Sequence, residues 1–366
     1  MTEAVRVAYT IEQCWHEVPG GTAVAGIGMA RALAARGDVE LVGVAAYHRS
    51  PPAPGWEPGI DVRHVPLPRV ALYESWLRLR RPRVERAAGR VDVVHATTIA
   101  VPPRSAPLVV TMHDVAWRAG GDFVTRRGRG FFERGLAVAR RDADLVLCPS
   151  RATADDCARA GFDPARLRVV PLGVDAPRAT AGDVERVRAR YGLTRPYVLF
   201  AGTIEPRKNL ARLVEAFRTL DDGVDLALVG PRGWNEDLDA LVRPARARVK
   251  ALGFVPHADL GPLYAGAAVF CMPSLLEGFG FPVLEAMAQG TPVVTSRGTS
   301  TEEVAGDAAV LVDPRDPGSI ARGLAAVLGD DALARKLSDA GPARAAEYTW
   351  ERTAAGVASC YREVAA

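Results

Sequence analysis

Two successive series of short β-branched runs, each run separated from the next by a helical pattern, constrain the fold of this chain more than any other feature. The first series is VRVAYT (5–10), VELVGVAAY, VDVVHA (91–96), LVVTMHD (108–114) and DLVLCPS (144–150), with helical patterns near 22–36 and 129–142. After VVPLGVD (169–175) the rhythm lapses into APRATAGD, and a second series follows: YVLFAG (197–202), DLALVG (225–230), VKALGFV (249–255), VFCMPS (269–274), PVVTS (292–296) and AVLVDP (309–314). Strands alternating with helices bury both faces of a parallel sheet, so each series predicts one doubly wound α/β unit. The 366 residues suffice for two such units, each of roughly 150 to 200 residues. We therefore expect a first Rossmann-like domain over 1–175, a second over 176–347, and helical segments near 317–328, 330–347 and 350–365.

Composition narrows the class. Apolar residues at 48% and charged residues at 24% exclude a disordered or collagenous chain. No window holds about 18 uncharged apolar residues, and MTEAVRVAYT lacks the basic-then-apolar start of a signal peptide, so the expectation is a cytoplasmic protein. Cys14, Cys148, Cys157, Cys271 and Cys360 are scattered, with no CxxC pair, and read as reduced, partly buried small hydrophobes. The net charge of +3 makes no case for nucleic acid.

Ligands of an open parallel sheet sit beyond the carboxyl ends of its strands, which is where chemistry is to be sought. The densest candidate is PSLLEGFGFPVLEAMAQGTPVV (273–294), which follows a strand and opens a helix. Glu277 and Glu285 stand eight residues apart around Gly278, Phe279, Gly280 and Pro282. A helix starting at Pro282 would leave the amides of Val283 and Leu284 without intrahelical partners, an anion site suited to a diphosphate. Glu277 would then lie beside a sugar, and Glu285 could accept bonds from a ribose diol. The plainer alternative is a solvated loop acid at Glu277 and a dipole-complementing acid at Glu285.

On these residues the chain resembles glycosyltransferase family 4: EGFGFPVLEAMAQGTPVV looks like that family's pair of glutamates separated by seven residues. The resemblance implies the GT-B fold, two Rossmann-like domains facing across a cleft, with retaining transfer from a nucleotide diphosphate sugar and no metal or other cofactor. Four further segments carry it. In LFAGTIEPRKNLARLVEAF (199–217), Arg207 and Lys208 precede Asn209, a good N-cap. The resemblance makes these two cations the clamp on the departing diphosphate, with Gly202 and Thr203 at the donor. Many family members carry arginine where this chain has Thr203, which puts a two-armed clamp in question and is similar to the polymannan mannosyltransferase subgroup. In EVPGGTAVAGIGMARALAARG (17–37), Gly20 and Gly21 open a helix and can approach the donor phosphate or the acceptor. In VVTMHDVAW (109–117), the resemblance places His113 at the transferred sugar, with Asp114 orienting a neighbour. The segment 150–175 reads as architecture, and 348–366 looks like the terminal helix that returns to the first domain.

The resemblance also implies a donor base that meets backbone near Phe254 and Val255, and an acceptor that is a glycan, a lipid-linked or a small molecule. GDP-mannose is the donor the subgroup suggests. Same-face substitution, with the leaving phosphate helping to deprotonate the acceptor, is the family's mechanism. The strings DAD (142–144) and DLD (237–239) border a strand and lie in a helical pattern, so neither predicts a metal site. The segment 69–90 interleaves Tyr73, Trp76 and Leu77 with Arg78, Arg80, Arg81, Arg83 and Arg86. It reads as an ordinary exposed helix or as a peripheral contact with an anionic membrane. Two other functions remain open: a sugar-nucleotide epimerase on the same fold, and a non-catalytic nucleotide-sugar-binding partner.

Overall fold

The computed structural model describes residues 4–16, 20–103, 105–120 and 123–366, with nothing said of the side chains of residues 126 and 127. Two compact units emerge, one comprising Met1–Arg118, Arg126–Gly173 and Tyr348–Ala366, the other Ala119–Thr125 and Val174–Glu347. The inclusion of Ala119–Thr125 in the second unit departs from the contiguous boundary expected at residue 175.

Among the described residues the first unit holds seven parallel strands: β1 (Val5–Thr10), β2 (Val39–Ala46), β3 (Val62–Val65), β4 (Val93–Ala96), β5 (Leu108–Thr111), β6 (Leu145–Cys148) and β7 (Leu167–Val169). Their order is β3-β2-β1-β4-β5-β6-β7. The edge strands β3 and β7 were not foreseen. Each is short and partly exposed, so neither shows the continuous apolar run of a strand buried on both faces.

The second unit holds six: β8 (Tyr197–Ala201), β9 (Asp225–Val229), β10 (Val249–Gly253), β11 (Val269–Met272), β12 (Val293–Ser296) and β13 (Val310–Val312), ordered β10-β9-β8-β11-β12-β13. Its core forms because the helix Leu210–Phe217 presents Leu210, Leu213, Val214 and Phe217 on one face, at the i, i+3, i+4, i+7 spacing. These side chains pack with Val198, Phe200, Leu226, Ile320 and Leu324, each buried side chain contributing about 1.5 to 3 kcal/mol.

Both sheets reverse strand order at the middle, between β1 and β4 in one and between β8 and β11 in the other. Such switch points open a crevice beyond the carboxyl ends of the strands. The chain returns to the first unit through the helix Trp350–Ala365. A Cβ at Gly28, inside the helix Gly21–Ala34, would lie 2.3 Å from the Trp350 ring, so this glycine permits close packing of the two helices. Tyr361 of the returning helix bonds the buried His95 of β4 at 2.6 Å.

The basic segment 69–90 is not one exposed helix. It breaks into Arg69–Glu74, a wider turn at Ser75–Leu79 and a single turn at Glu85–Ala88. Arg80 turns inward, donating to the carbonyls of Trp76, Val101 and Pro102 and pairing with Asp142 at 2.7 Å. Asp144 accepts the Leu108 amide, Asp237 caps the helix Leu238–Val242, and Asp239 pairs with Arg232, so these aspartates serve local structure.

Candidate active site

Arg207 and Lys208 follow β8, Glu277 follows β11, and the switch point between those strands brings them together. The Arg207 guanidinium donates to Glu277 Oε2 at 2.8 Å, to the Leu276 carbonyl at 2.9 Å and to Glu205 Oε1 at 2.6 Å. The Lys208 ammonium donates to the other oxygen of Glu277 at 2.7 Å. Two backbone bonds set this geometry: the Leu275 amide donates to the Arg207 carbonyl, and the Ser300 hydroxyl donates to that of Glu277. Burial would raise the Glu277 carboxyl, but the charges of Arg207 and Lys208 and the Lys208 hydrogen bond outweigh it and hold the group at about 2.

One expectation changes here. Glu277 is no solvated loop acid, since only 9% of it is exposed and both oxygens are engaged. Thr203 brings no cation to this cluster, whose guanidinium comes from Arg207, four residues later. Thr203 instead packs beside Gly233, where an added Cβ would come within 2.8 Å of its methyl. Asn209 precedes the helix at φ 62° and makes no side-chain cap; its amide donates to the carbonyls of Pro273 and Pro314, tying the loops after β8, β11 and β13. Gly202, at φ 154°, puts its carbonyl where a Cβ at Gly230 would sit, 1.9 Å away, so the loops after β8 and β9 meet backbone to backbone.

The helix after Glu277 begins at Phe281, one residue earlier than expected, with Gly280 before it at φ 129°. That shift removes the predicted anion site at Val283 and Leu284, whose amides both donate to the Gly280 carbonyl, at 3.0 and 3.3 Å. Their side chains are fully buried. Gly278 and Phe279 are buried too, the Phe279 ring standing edge-on to Phe281 at 5.3 Å.

Glu285 occupies a different environment. It lies one turn into the helix, accepts the Tyr264 hydroxyl at 2.9 Å, and lines a pocket of about 240 Å³ with Arg178, His257, Tyr264 and Gln289. Burial pushes its carboxyl above the ordinary value, with Tyr264 and His257 opposing. Tyr264 and Gln289, which no sequence motif singles out, reach the pocket only through tertiary packing. Near it, β10 ends at Gly253, Phe254 is exposed and Val255 is buried.

In the first unit, His113 lies just beyond β5 and donates through Nε2 to the Thr97 carbonyl at 3.0 Å. Thr97 in turn bonds Thr10, so the carboxyl ends of β1, β4 and β5 are tied together. Burial lowers the His113 imidazole below its usual value, opposed by the Thr97 bond and Asp114. Asp114 accepts the Ala116 amide, a local turn. Gly20, in extended backbone, and Gly21 are exposed at the start of the helix Gly21–Ala34, and a Cβ on Gly20 would meet nothing within 4 Å.

Residues 19–178 match the family model described as Glycosyltransferase Family 4, and residues 183–344 match Glycosyl transferases group 1. The O-antigen chain mannosyltransferase B of Escherichia coli is 33% identical over 311 residues, covering 81% of each chain. The chain belongs to glycosyltransferase family 4. A D-inositol 3-phosphate glycosyltransferase of Xylanimonas cellulosilytica is 32% identical over 388 residues, covering 94% of this chain and 92% of its own. Among solved structures, Anabaena HepE in complex with UDP and glucose superposes with a TM-score of 0.77 at 19% identity, covering 97% of this chain and 99% of that one. The fold of this family 4 glycosyltransferase is therefore GT-B, and its reaction is glycosyl transfer from a nucleotide sugar.

Proposed function

We propose that this glycosyltransferase moves a hexose, with GDP-mannose as the leading donor, onto a hydroxyl of a glycan, lipid-linked or small-molecule acceptor, with retention and without a metal. The observation that carries the reading is the convergence of Arg207 and Lys208 on one carboxylate at the switch point. Cleaving the anomeric bond leaves negative charge on the diphosphate, and two preset cations in a shielded site stabilise it electrostatically. That is the task a divalent ion performs elsewhere, so these residues supply it themselves.

Within this reading the diphosphate takes the outer side of the Arg207–Lys208 pair, and the ribose reaches Glu285 in its pocket. Phe254 and Val255 border the base. The leaving phosphate accepts the acceptor proton on the same face. The mannosyl preference rests on the Escherichia coli relative, whose name specifies mannosyl transfer. Donor turnover should survive a chelator and stay unchanged on adding Mg²⁺ or Mn²⁺. An abrupt loss restored by either ion would overturn the metal-free clamp.

The acceptor side includes a contact with an anionic membrane surface. No helix among the described residues is long and apolar enough to cross a membrane. Arg81, Arg83 and Arg86 line a pocket of about 880 Å³ beside His64, and Leu79 is 71% exposed next to them. Since Arg80 is held inward, changing Arg81, Arg83 and Arg86 to Ser should abolish co-sedimentation with anionic vesicles at low salt. Absence of co-sedimentation by the wild type removes the membrane contact.

A further inference from the structure

Glu205 is the second carboxylate of the Arg207–Lys208 cluster. It stands four residues past β8, is 3% exposed, and accepts one hydrogen bond from Arg207 at 2.6 Å. Glu277, by contrast, is held by two cations. The charged groups around Glu205 are Arg207 and Lys208 on its own turn and Glu277 on the loop after β11. Across the bridge from Ile204 stands Arg232, whose guanidinium pairs with Asp239.

The four inner groups form a balanced set of two cations and two carboxylates. A nucleotide sugar adds a diphosphate diester, both of whose charges persist at any pH where the protein is folded. If both carboxylates stayed ionised, two cations would face four negative charges away from water, an arrangement that buried groups relieve by neutralising one of their number. The carboxylate with the single cationic contact is the one that yields. We propose that Glu205 is a positioning residue that sets Arg207 for the diphosphate and takes up one proton from solvent as the diphosphate binds, an assignment that rests on the donor reading above. The proton adds to the Glu205 carboxylate, no other bond is made or broken, and it returns to solvent when the nucleotide leaves. Burial already pushes this carboxyl above its ordinary value, against the pull of Arg207 and Lys208.

The test is calorimetry of the full chain with GDP-mannose and with UDP-glucose, at one pH, in two buffers of different ionisation heat. The wild type should take up about one proton per nucleotide sugar, and its affinity should fall about tenfold per pH unit above the Glu205 value in the free protein. Glu205→Gln keeps an acceptor for Arg207 and mimics the protonated acid, so it should bind with no proton uptake and no such slope. Glu205→Ala leaves Arg207 unset and should bind more weakly than the Gln variant. Equal heats in both buffers for the wild type, or a Gln variant as weak as the Ala variant, overturns the role of Glu205 and leaves the donor reading standing. No binding of either nucleotide sugar overturns both.

Discussion

Glu277 and Glu285 are eight residues apart on one loop and helix, yet their surroundings drive them in opposite directions. Glu277 is buried and Glu285 half-buried, and burial alone favours the protonated form of each. At Glu277, Arg207 and Lys208 reverse that preference and hold the carboxyl at about 2. At Glu285 the nearest partner is the neutral hydroxyl of Tyr264, and the carboxyl stays above its ordinary value. Spacing in the sequence pairs these acids, but charge pairing in three dimensions separates their work. Glu277 organises the Arg207–Lys208 pair, and Glu285 faces a pocket of about 240 Å³.

The sharpest way to break the comparison is to remove Glu277. Glu277→Ala leaves the Arg207 and Lys208 charges buried without their common anchor, and should cost about 3 to 5 kcal/mol of stability. Thermal unfolding reads this directly. A melting temperature equal to the wild type's would show that Glu277 holds nothing in place.

Acid sharpens the same contrast through its sign. A carboxyl held from the ordinary 4.5 down to about 2 contributes stability that is fully present above about pH 4.5 and is lost as the pH falls toward 2. That contribution is about 3 kcal/mol, and the gap in urea stability between wild type and Glu277→Gln should close over the same range. Glu285 behaves inversely. Its raised carboxyl costs stability at neutral pH, so Glu285→Gln should raise the melting temperature at pH 7 and lose that gain in acid. Parallel pH profiles for the two glutamine variants would erase the distinction.

Much of this was legible in the sequence. Eleven strands announce themselves as apolar runs because parallel strands are covered on both faces, whereas the short edge strands β3 and β7 carry mixed residues and do not. Arg207, Lys208 and Glu277 were readable because each stands just past a strand's carboxyl end. What the sequence could not show was their mutual pairing across about seventy positions, the inward turn of Arg80, or the part of Tyr264. These are consequences of which strands become neighbours. The one-residue error at the start of the helix Phe281–Ala288 had the largest chemical consequence, since it moved the Val283 and Leu284 amides from free donors to bonded ones. Gly280 at φ 129° places that boundary, and its conformation is invisible in a one-dimensional pattern.

The division of labour between the two glutamates is tested most directly by titrating the free nucleoside diphosphate into Glu277→Gln and Glu285→Ala by calorimetry. Glu285→Ala should lose about 1.5 to 3 kcal/mol of binding, roughly tenfold to a hundredfold in affinity, because charge-assisted bonds to the ribose disappear. Glu277→Gln should bind the nucleotide nearly as the wild type does while turning the sugar donor over more slowly. The account is contradicted if Glu285→Ala keeps wild-type affinity for the nucleoside diphosphate, for the ribose would then not lie at Glu285.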